Sequence, residues 1–302
     1  MLSAIRSSLS GDPAAHATGR DKNNGSSSRP TLIFLHIPKA AGSTFDAVLE
    51  RKFKGKPILT IRKPVQEIEQ LKGLPRADRE RLQLIKGHFP YGIHEHLSQP
   101  FEYITILREP VERIISHYYF VLRRPDHYLY DAVASQKIGL KEYVLGGLSP
   151  ELDNGQARLI AGPSRRIPYG ACSRELLEQA KQNLQHHFSI VGLAERFDET
   201  MLLVSRRFGW RPVCYVRQNV TDNRPRRDQF SPDIIEAIKA ANWVDMELYA
   251  FAQELFQTAV RERGGPFFKF RLARYKARNA SYCEKQLNQS ARHHARGGVS
   301  RT

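Results

Sequence analysis

Cysteine, tryptophan and long apolar runs are scarce in this 302-residue chain, and acidic residues are outnumbered by basic ones. Its three cysteines, Cys172, Cys214 and Cys283, are odd in number and far apart. They offer neither a disulfide framework nor a metal-ligand spacing, and a reducing compartment is the simpler setting. No stretch reaches the roughly 18 consecutive apolar residues of a membrane-crossing helix. The opening MLSAIRSSLSGDPAAH holds no sustained apolar core, so a secretory signal is not expected and a cytoplasmic location is. The Walker A pattern, Gly-x-x-x-x-Gly-Lys-Ser/Thr, is absent, which argues against an ordinary P-loop kinase or NTPase.

What is present in excess is positive charge. Lys and Arg number 47 against 31 Asp and Glu, a formal net of +16. From Arg261 to Thr302 there are 11 basic residues against 2 acidic ones, so much of the excess lies in the C-terminal tail. The remainder reads as an enzyme core that favours anions, with no call for a specific nucleic-acid partner. Residues 1–29, rich in Ser, Gly, Asn and Asp, are expected to be disordered. Residues 30–264 form the expected catalytic domain. Residues 265–302, beginning FFKFRLARYKARNASY just after the Gly-Gly pair, are expected to be a solvated basic tail. An amphipathic surface helix in peripheral contact with a membrane or polyanion is the competing reading of that tail.

Inside the domain, TLIFLHI from Thr31 is a continuously apolar strand suited to the centre of a parallel sheet. PKAAGS follows, and a helix is expected from Ser43 or Thr44 with Phe45, Val48, Leu49 and Phe53 on one face. LQLIKGH (Leu82–His88), YITILR (Tyr103–Arg108) and SIVGLAE supply further strands. Pro110 suits the first turn of a helix, Ser173 caps another, and Ser231-Pro232 opens a helical region running to Arg263 with a bend near Asn242-Trp243. Alternating strands and helices predict a three-layer α/β domain, P-loop-NTPase-like, with a central, mainly parallel sheet.

Ligands of such a sheet bind beyond the carboxyl ends of its strands. Lys39, His88 and Arg108 stand at or just past three of those ends, far apart in sequence but brought to one rim by the topology. The small-residue loop with Lys39, opening into a helix at Ser43-Thr44, has the makings of an anion cradle.

HIPKAAGSTF (His36–Phe45) resembles the 5′-phosphosulfate loop of carbohydrate sulfotransferases related to the heparan sulfate 2-O- and 6-O-sulfotransferases. TILREPVERIISHYY (Thr105–Tyr119) resembles that family's 3′-phosphate motif, and KGHFPYG (Lys86–Gly92) is similar to the segment with its catalytic histidine. Weaker similarity continues through DNGQARLIAG and IVGLAERFDETMLLV, so an ordered series covers roughly residues 31–230. The resemblance implies transfer of a sulfuryl group from 3′-phosphoadenosine 5′-phosphosulfate (PAPS) to a carbohydrate hydroxyl, leaving PAP. It implies that Lys39 meets the leaving phosphate–sulfate bridge and His88 is the general base. Ala41, Gly42, Ser43 and Thr44 would line the 5′ end, and Arg108 and Ser116 would hold the 3′-phosphate. Position 40 is Ala where many relatives carry a hydroxyl, so one phosphate hydrogen bond is either missing or supplied by Ser43 and Thr44.

Other residues are assigned more loosely. His36 reads as an orienting or packing residue, and His94, His96 and His117 as surface or packing residues. Arg113 either supports the 3′-phosphate or pairs with Glu109 or Glu112. Tyr118 and Tyr119 read as core and helix-face residues. Asn154, Arg158, Arg217, Asn219 and Arg224 are candidates to close over donor or acceptor. No metal is required, because cations and helix N–H groups already meet the anion. The alternatives are a kinase, whose nearest Mg²⁺-binding carboxylate is Glu109, and a non-catalytic anion-binding module driven by the tail. If the tail is a separate appendage, deleting residues 265–302 spares donor binding.

Overall fold

The computed structural model describes residues 30–163, 167–218 and 225–297, with side chains up to residue 289. The N-terminal segment 1–29 assigned above lies outside the described residues, as do Asn219 and Arg224.

In chain order the strands are β1 (Thr31–Leu35), β2 (Ile58–Ile61), β3 (Leu84–Gly87), β4 (Phe101–Leu107) and β5 (Phe188–Leu193). The helices of the first half are α1 (Gly42–Lys52), α2 (Pro64–Gly73), α3 (Arg76–Glu80), α4 (Pro110–Val121), α5 (Leu140–Leu145) and α6 (Gly155–Ala161). Those of the second half are α7 (Arg174–His187), α8 (Phe197–Arg207), α9 (Pro232–Ala241), α10 (Trp243–Arg263) and α11 (Phe268–Gly297). The five strands form one sheet in the order β2-β3-β1-β4-β5, with every pairing parallel. Helices cover both faces, which gives the predicted three-layer, P-loop-NTPase-like architecture.

β1 is central and buried along its whole length, so its five residues can all be Thr, Leu, Ile or Phe without alternation. β2 is a four-residue edge strand with alternating burial, and the sequence reading did not find it. Between Pro57 and Pro64, ILTI is too short to display a period. Register sets the rim: Leu35 of β1 stands opposite Gly87 of β3 and Thr105 of β4. The three polar residues that follow these strands therefore leave the sheet on one edge. Gly87 has φ +142°, and a Cβ there would lie 1.9 Å from the Ile61 carbonyl oxygen, so only glycine lets β3 end against β2.

α1 begins at Gly42, one or two residues earlier than expected, and buries Phe45, Val48 and Leu49 on the predicted face. The long region after Ser231 divides into α9 and α10 at Asn242, where the bend was expected. Asn242 donates to the Ile238 carbonyl through Nδ2 (3.2 Å) and accepts the Asn154 amide on Oδ1 (3.0 Å). A smaller apolar cluster joins α4, α5 and α9 through Ile114, Ile115, Tyr143, Val144 and Ile238.

The C-terminal region departs from the expected solvated tail. α11 is a helix of 30 residues that buries Tyr275 and Asn279 against the domain. Its anchor is the extended segment 211–218. Tyr275 Oη donates to the Val213 carbonyl (2.8 Å), Arg278 Nη2 to the Pro212 carbonyl (2.6 Å), and the Tyr215 amide to Asn279 Oδ1 (2.7 Å). Among the described residues, no helix is long and apolar enough to cross a membrane.

Candidate active site

At the carboxyl edge of β1, β3 and β4 lies a cleft of about 1030 Å³, lined by Lys39, Gly42, Ser43, Thr44, His88, Arg108 and Ser116 among others. The sheet thus brings the three predicted strand-end groups together.

The loop after β1 is built for an anion. Lys39 (φ +66°) and Ala41 (φ +63°) both adopt the left-handed conformation, which costs on the order of 1–3 kcal/mol for each non-glycine residue. Such turns aim successive backbone N–H groups into a concave face. Ala41 is the N-cap of α1 and its side chain supplies no cap hydrogen bond to the first turn of that helix. Gly42 is fixed by contact: a Cβ would lie 1.9 Å from the His36 ring, which packs beneath this turn. Thr44 Oγ1 accepts the Gln218 amide (3.0 Å), so the hydroxyl proposed for phosphate also tethers segment 211–218.

Lys39 Nζ stands 3.7 Å from the centroid of the Phe120 ring. Burial, then the nearby Arg108, Arg123 and Arg124 charges, push its pKa down to about 8. Arg108 ties this loop to the end of β4, with Nη1 donating to the Lys39 carbonyl (3.1 Å) and Nη2 3.5 Å from Glu112 Oε2. The buried Gln156 amide clasps the Arg108 backbone from both sides, accepting its N–H (3.0 Å) and donating to its carbonyl (2.9 Å). Ser116, two turns into α4, is buried and faces the same cleft.

His88 is oriented by its neighbour in the sheet. Its Nδ1 lies 2.7 Å from the His36 carbonyl oxygen. A carbonyl only accepts, so Nδ1 carries the proton and Nε2 holds the lone pair. The residue is exposed to the cleft on one side and packs on the His36 ring on the other, centroids 4.3 Å apart. Partial desolvation by the surrounding protein, with His36 beside it, pushes its pKa down to about 4. His36 itself stacks on Phe34 and lies 3.4 Å from Asp46 through Nδ1, the orienting role expected of it. Burial pushes the Asp46 carboxyl up, yet His36 and Lys86 outweigh it and hold that group below the usual range.

Several expectations are corrected. Arg113 pairs with neither Glu109 nor Glu112. Its Nη2 donates to the Glu151 carbonyl (2.8 Å) and lies 3.7 Å from Asp245 Oδ2, inside the protein. Asn154 does not reach the cleft; its side chain bonds Asp153, the Ala241 carbonyl and the Asp245 amide. Arg158 lines the cleft, but its guanidinium is held by Asp153 and the Ile167 and Pro168 carbonyls. Both brace the fold, because a buried turn between α6 and α10 must satisfy its own polar groups. Arg217 does face the cleft. Glu109 caps α4 by accepting the Glu112 amide (2.7 Å) and pairs with Arg227, so it is no open magnesium ligand. Among the described residues no group of three or more His, Cys, Asp or Glu could hold a metal ion.

His117, read as a surface or packing residue, lines the cleft and meets Glu151. Phe120, Gln156 and Glu151 escaped the sequence reading. Phe120 carried one signal, its i+4 spacing from Ser116 on the apolar helix, and Gln156 stood inside a motif already singled out.

The description "Sulfotransferase family" fits residues 26–252, about three quarters of the chain. The chain belongs to the sulfotransferase family. As a member it is a PAPS-dependent enzyme that transfers a sulfuryl group. Relatives of this sulfotransferase include heparan sulfate 2-O-sulfotransferase 1 of Gallus gallus, 26% identical over 274 residues, covering 78% of this chain and 74% of that protein. Heparan-sulfate 6-O-sulfotransferase 2 of Homo sapiens is 26% identical over 271 residues, covering 74% of this chain and 44% of that protein. Among solved structures, a sulfotransferase from Alicyclobacillus acidocaldarius matches with a TM-score of 0.38 at 16% identity, over 76% of this chain and 96% of that one. A mouse sulfotransferase complexed with PAP matches with a TM-score of 0.35 at 14% identity, over 82% and 88%.

Proposed function

We propose that this sulfotransferase moves the sulfuryl group of PAPS onto a hydroxyl of a carbohydrate, with Lys39 stabilising the leaving group and His88 acting as general base. The observation that carries the assignment is the His88 Nδ1 bond to the His36 carbonyl, in the same cleft as Lys39 and Arg108. It leaves Nε2 ready to take a proton, and the depressed pKa keeps the ring neutral at pH 7. Two relatives are named for heparan sulfate, which supports a carbohydrate acceptor.

The acceptor oxygen attacks sulfur while its proton passes to His88 Nε2. The bond from sulfur to the bridging oxygen breaks, and the electron pair leaves with PAP. Lys39, cationic below about pH 8, meets the charge that grows on that oxygen. The loop N–H groups, Ser43 and Thr44 hold the 5′-phosphate, and Arg108 with Ser116 holds the 3′-phosphate. No step calls for a metal.

The test is transfer of labelled sulfate from PAPS to a panel of glycosaminoglycans and simpler glycans, with thermal protection by PAP and ATP measured alongside. Multiple-turnover transfer with stronger protection by PAP is expected. Stronger protection by ATP, or binding without turnover, would sink the assignment.

A further inference from the structure

The outward face of α11 takes no part in anchoring that helix or in the steps above. Tyr275 and Asn279 turn its inner side onto segment 211–218, and Arg271 and Arg278 reach the Gly264 and Pro212 carbonyls. By helical spacing, Phe270, Ala273, Ala277 and Ala280 then run along the opposite side, and all four are exposed. Lys269 and Lys276 follow one border of this strip, and Arg274 and Lys285 the other, all exposed as well. From Phe268 to Gln289 the helix carries six basic residues and one acidic residue, Glu284, which stands in the strip.

Two bare rings open the strip. Phe267 is 80% exposed and Phe270 61%. Phe267 lies just ahead of α11 with φ +59°, a left-handed conformation that strains any residue with a side chain. The next ring, Phe268, packs on the main core, so the turn buries one phenylalanine and presents the other two. The Arg274 guanidinium stands 5.8 Å from the Phe270 centroid. Leu287, about three turns beyond Lys276 on the same border, is 66% exposed.

Exposed apolar side chains rimmed by cations mark a contact surface. The chemistry of the strip selects the partner. A sulfated polysaccharide would be held by the cations alone and would leave the rings in water. An anionic bilayer engages both parts. The rings enter the boundary between headgroups and acyl chains, while the Lys and Arg stems lie along the apolar layer and keep their charges among the lipid phosphates. The alanines between the borders let the helix axis approach that plane closely.

We infer that the outward face of α11 docks this protein on an anionic lipid bilayer, with Phe267 and Phe270 inserted and Lys269, Arg274, Lys276 and Lys285 on the headgroups. The helix lies along the surface, since it is not apolar enough to cross it.

The test is flotation of the full chain with vesicles of phosphatidylcholine, either alone or with about 30% phosphatidylserine. Wild-type protein is expected to partition onto the anionic vesicles at least about tenfold more strongly than onto the neutral ones. The double substitution Phe267→Ser and Phe270→Ser should lower that partitioning by about tenfold, and Lys269→Gln with Lys276→Gln by about tenfold or more. Equal partitioning of the wild type onto both kinds of vesicle, or onto neither, overturns the inference. A ring variant that floats as well as the wild type, while the lysine variant does not, marks a surface for soluble polyanions and overturns it too. All four side chains face solvent, so an unchanged melting temperature is expected of both variants. If either fails to fold, the wild-type comparison decides. Flotation involves no sulfate transfer, so its outcome stands apart from that of the acceptor panel.

Discussion

The two walls of the cleft are held in place by different means. One wall is the sheet edge, where Lys39, His88 and Arg108 each follow a buried parallel strand within one to four residues. Strand register positions them, and their contacts are short and mutual: the His36 carbonyl on His88, and the Lys39 carbonyl on Arg108. The other wall includes segment 211–218, which has no regular structure of its own. It is held by α11 from one side and by α1 from the other. Arg51 Nη2 donates to the Cys214 carbonyl (2.6 Å), Lys52 Nζ to the Arg211 carbonyl (3.3 Å), and Thr44 Oγ1 accepts from Gln218. On the proposed mechanism, chemistry and the phosphate contacts depend on the rigid wall, and the tethered wall should tune donor affinity, because loosely held segments open at low free-energy cost.

Substitutions on the rigid wall should therefore strike turnover hardest. Lys39→Ala and His88→Ala are each expected to lower kcat by about two orders of magnitude or more, the range for a positioned charge or base. Steady-state kinetics with saturating PAPS provides the measurement. Full activity in His88→Ala would move the base elsewhere in the cleft, with Glu151 the first group to examine.

Next in size is the alkaline limb. Lys39 titrates near 8 in the free enzyme because burial and three arginines oppose its charge. Raising the pH from 7 to 9 should cut kcat/KM for PAPS by about tenfold as the ammonium is lost. Bound phosphates favour the charged form, so the limb in kcat should lie at higher pH than the limb in kcat/KM. Coincident limbs would place the titrating group outside the donor site.

The tethered wall should show a smaller effect of another kind. Asn279→Ala removes the acceptor for the buried Tyr215 amide. An orphaned buried donor costs about 1–3 kcal/mol, and much of that is relieved if the segment lifts away. The KM for PAPS should rise about fivefold while kcat stays within about twofold. Deleting residues 268–302 should weaken donor binding further. This reverses what the sequence alone suggested, since the tail looked dispensable. A deletion that leaves PAP affinity intact would restore the view of α11 as an appendage.

The same division explains what could be read from the chain. The rim was legible because β1 is a nearly continuous apolar run and β3 and β4 carry Leu84-Ile85 and Ile104, Ile106 and Leu107 just before the groups that follow them. β2 was not, for a four-residue edge strand shows no period. Asn154 stood in a recognised motif but is turned away from the cleft, and Arg158 in the same motif lines the cleft while also bracing the fold. Their partners, Asp245, Ala241 and Pro168, come from packing that spacing does not reveal. The α11 sequence is basic with interleaved aromatics, and only contact with 211–218 shows that Tyr275 and Asn279 face inward. Gln156 was missed for the same reason.

The smallest expected effect is the most discriminating for the rigid wall. An ordinary histidine with a pKa of about 6.5 would be only about 9% neutral at pH 5.5, and a base of that kind would lose most of its rate. His88 has its pKa pushed down to about 4 by partial desolvation and the adjoining His36, so at pH 5.5 about 97% of it should still be neutral. Between pH 7 and 5.5, kcat/KM should thus change by less than about twofold, with the acid limb appearing only near pH 4. A tenfold loss by pH 5.5 would mean that the free enzyme's base is a solvated imidazole, and the crowding of His88 against the sheet edge would not be what sets its proton affinity.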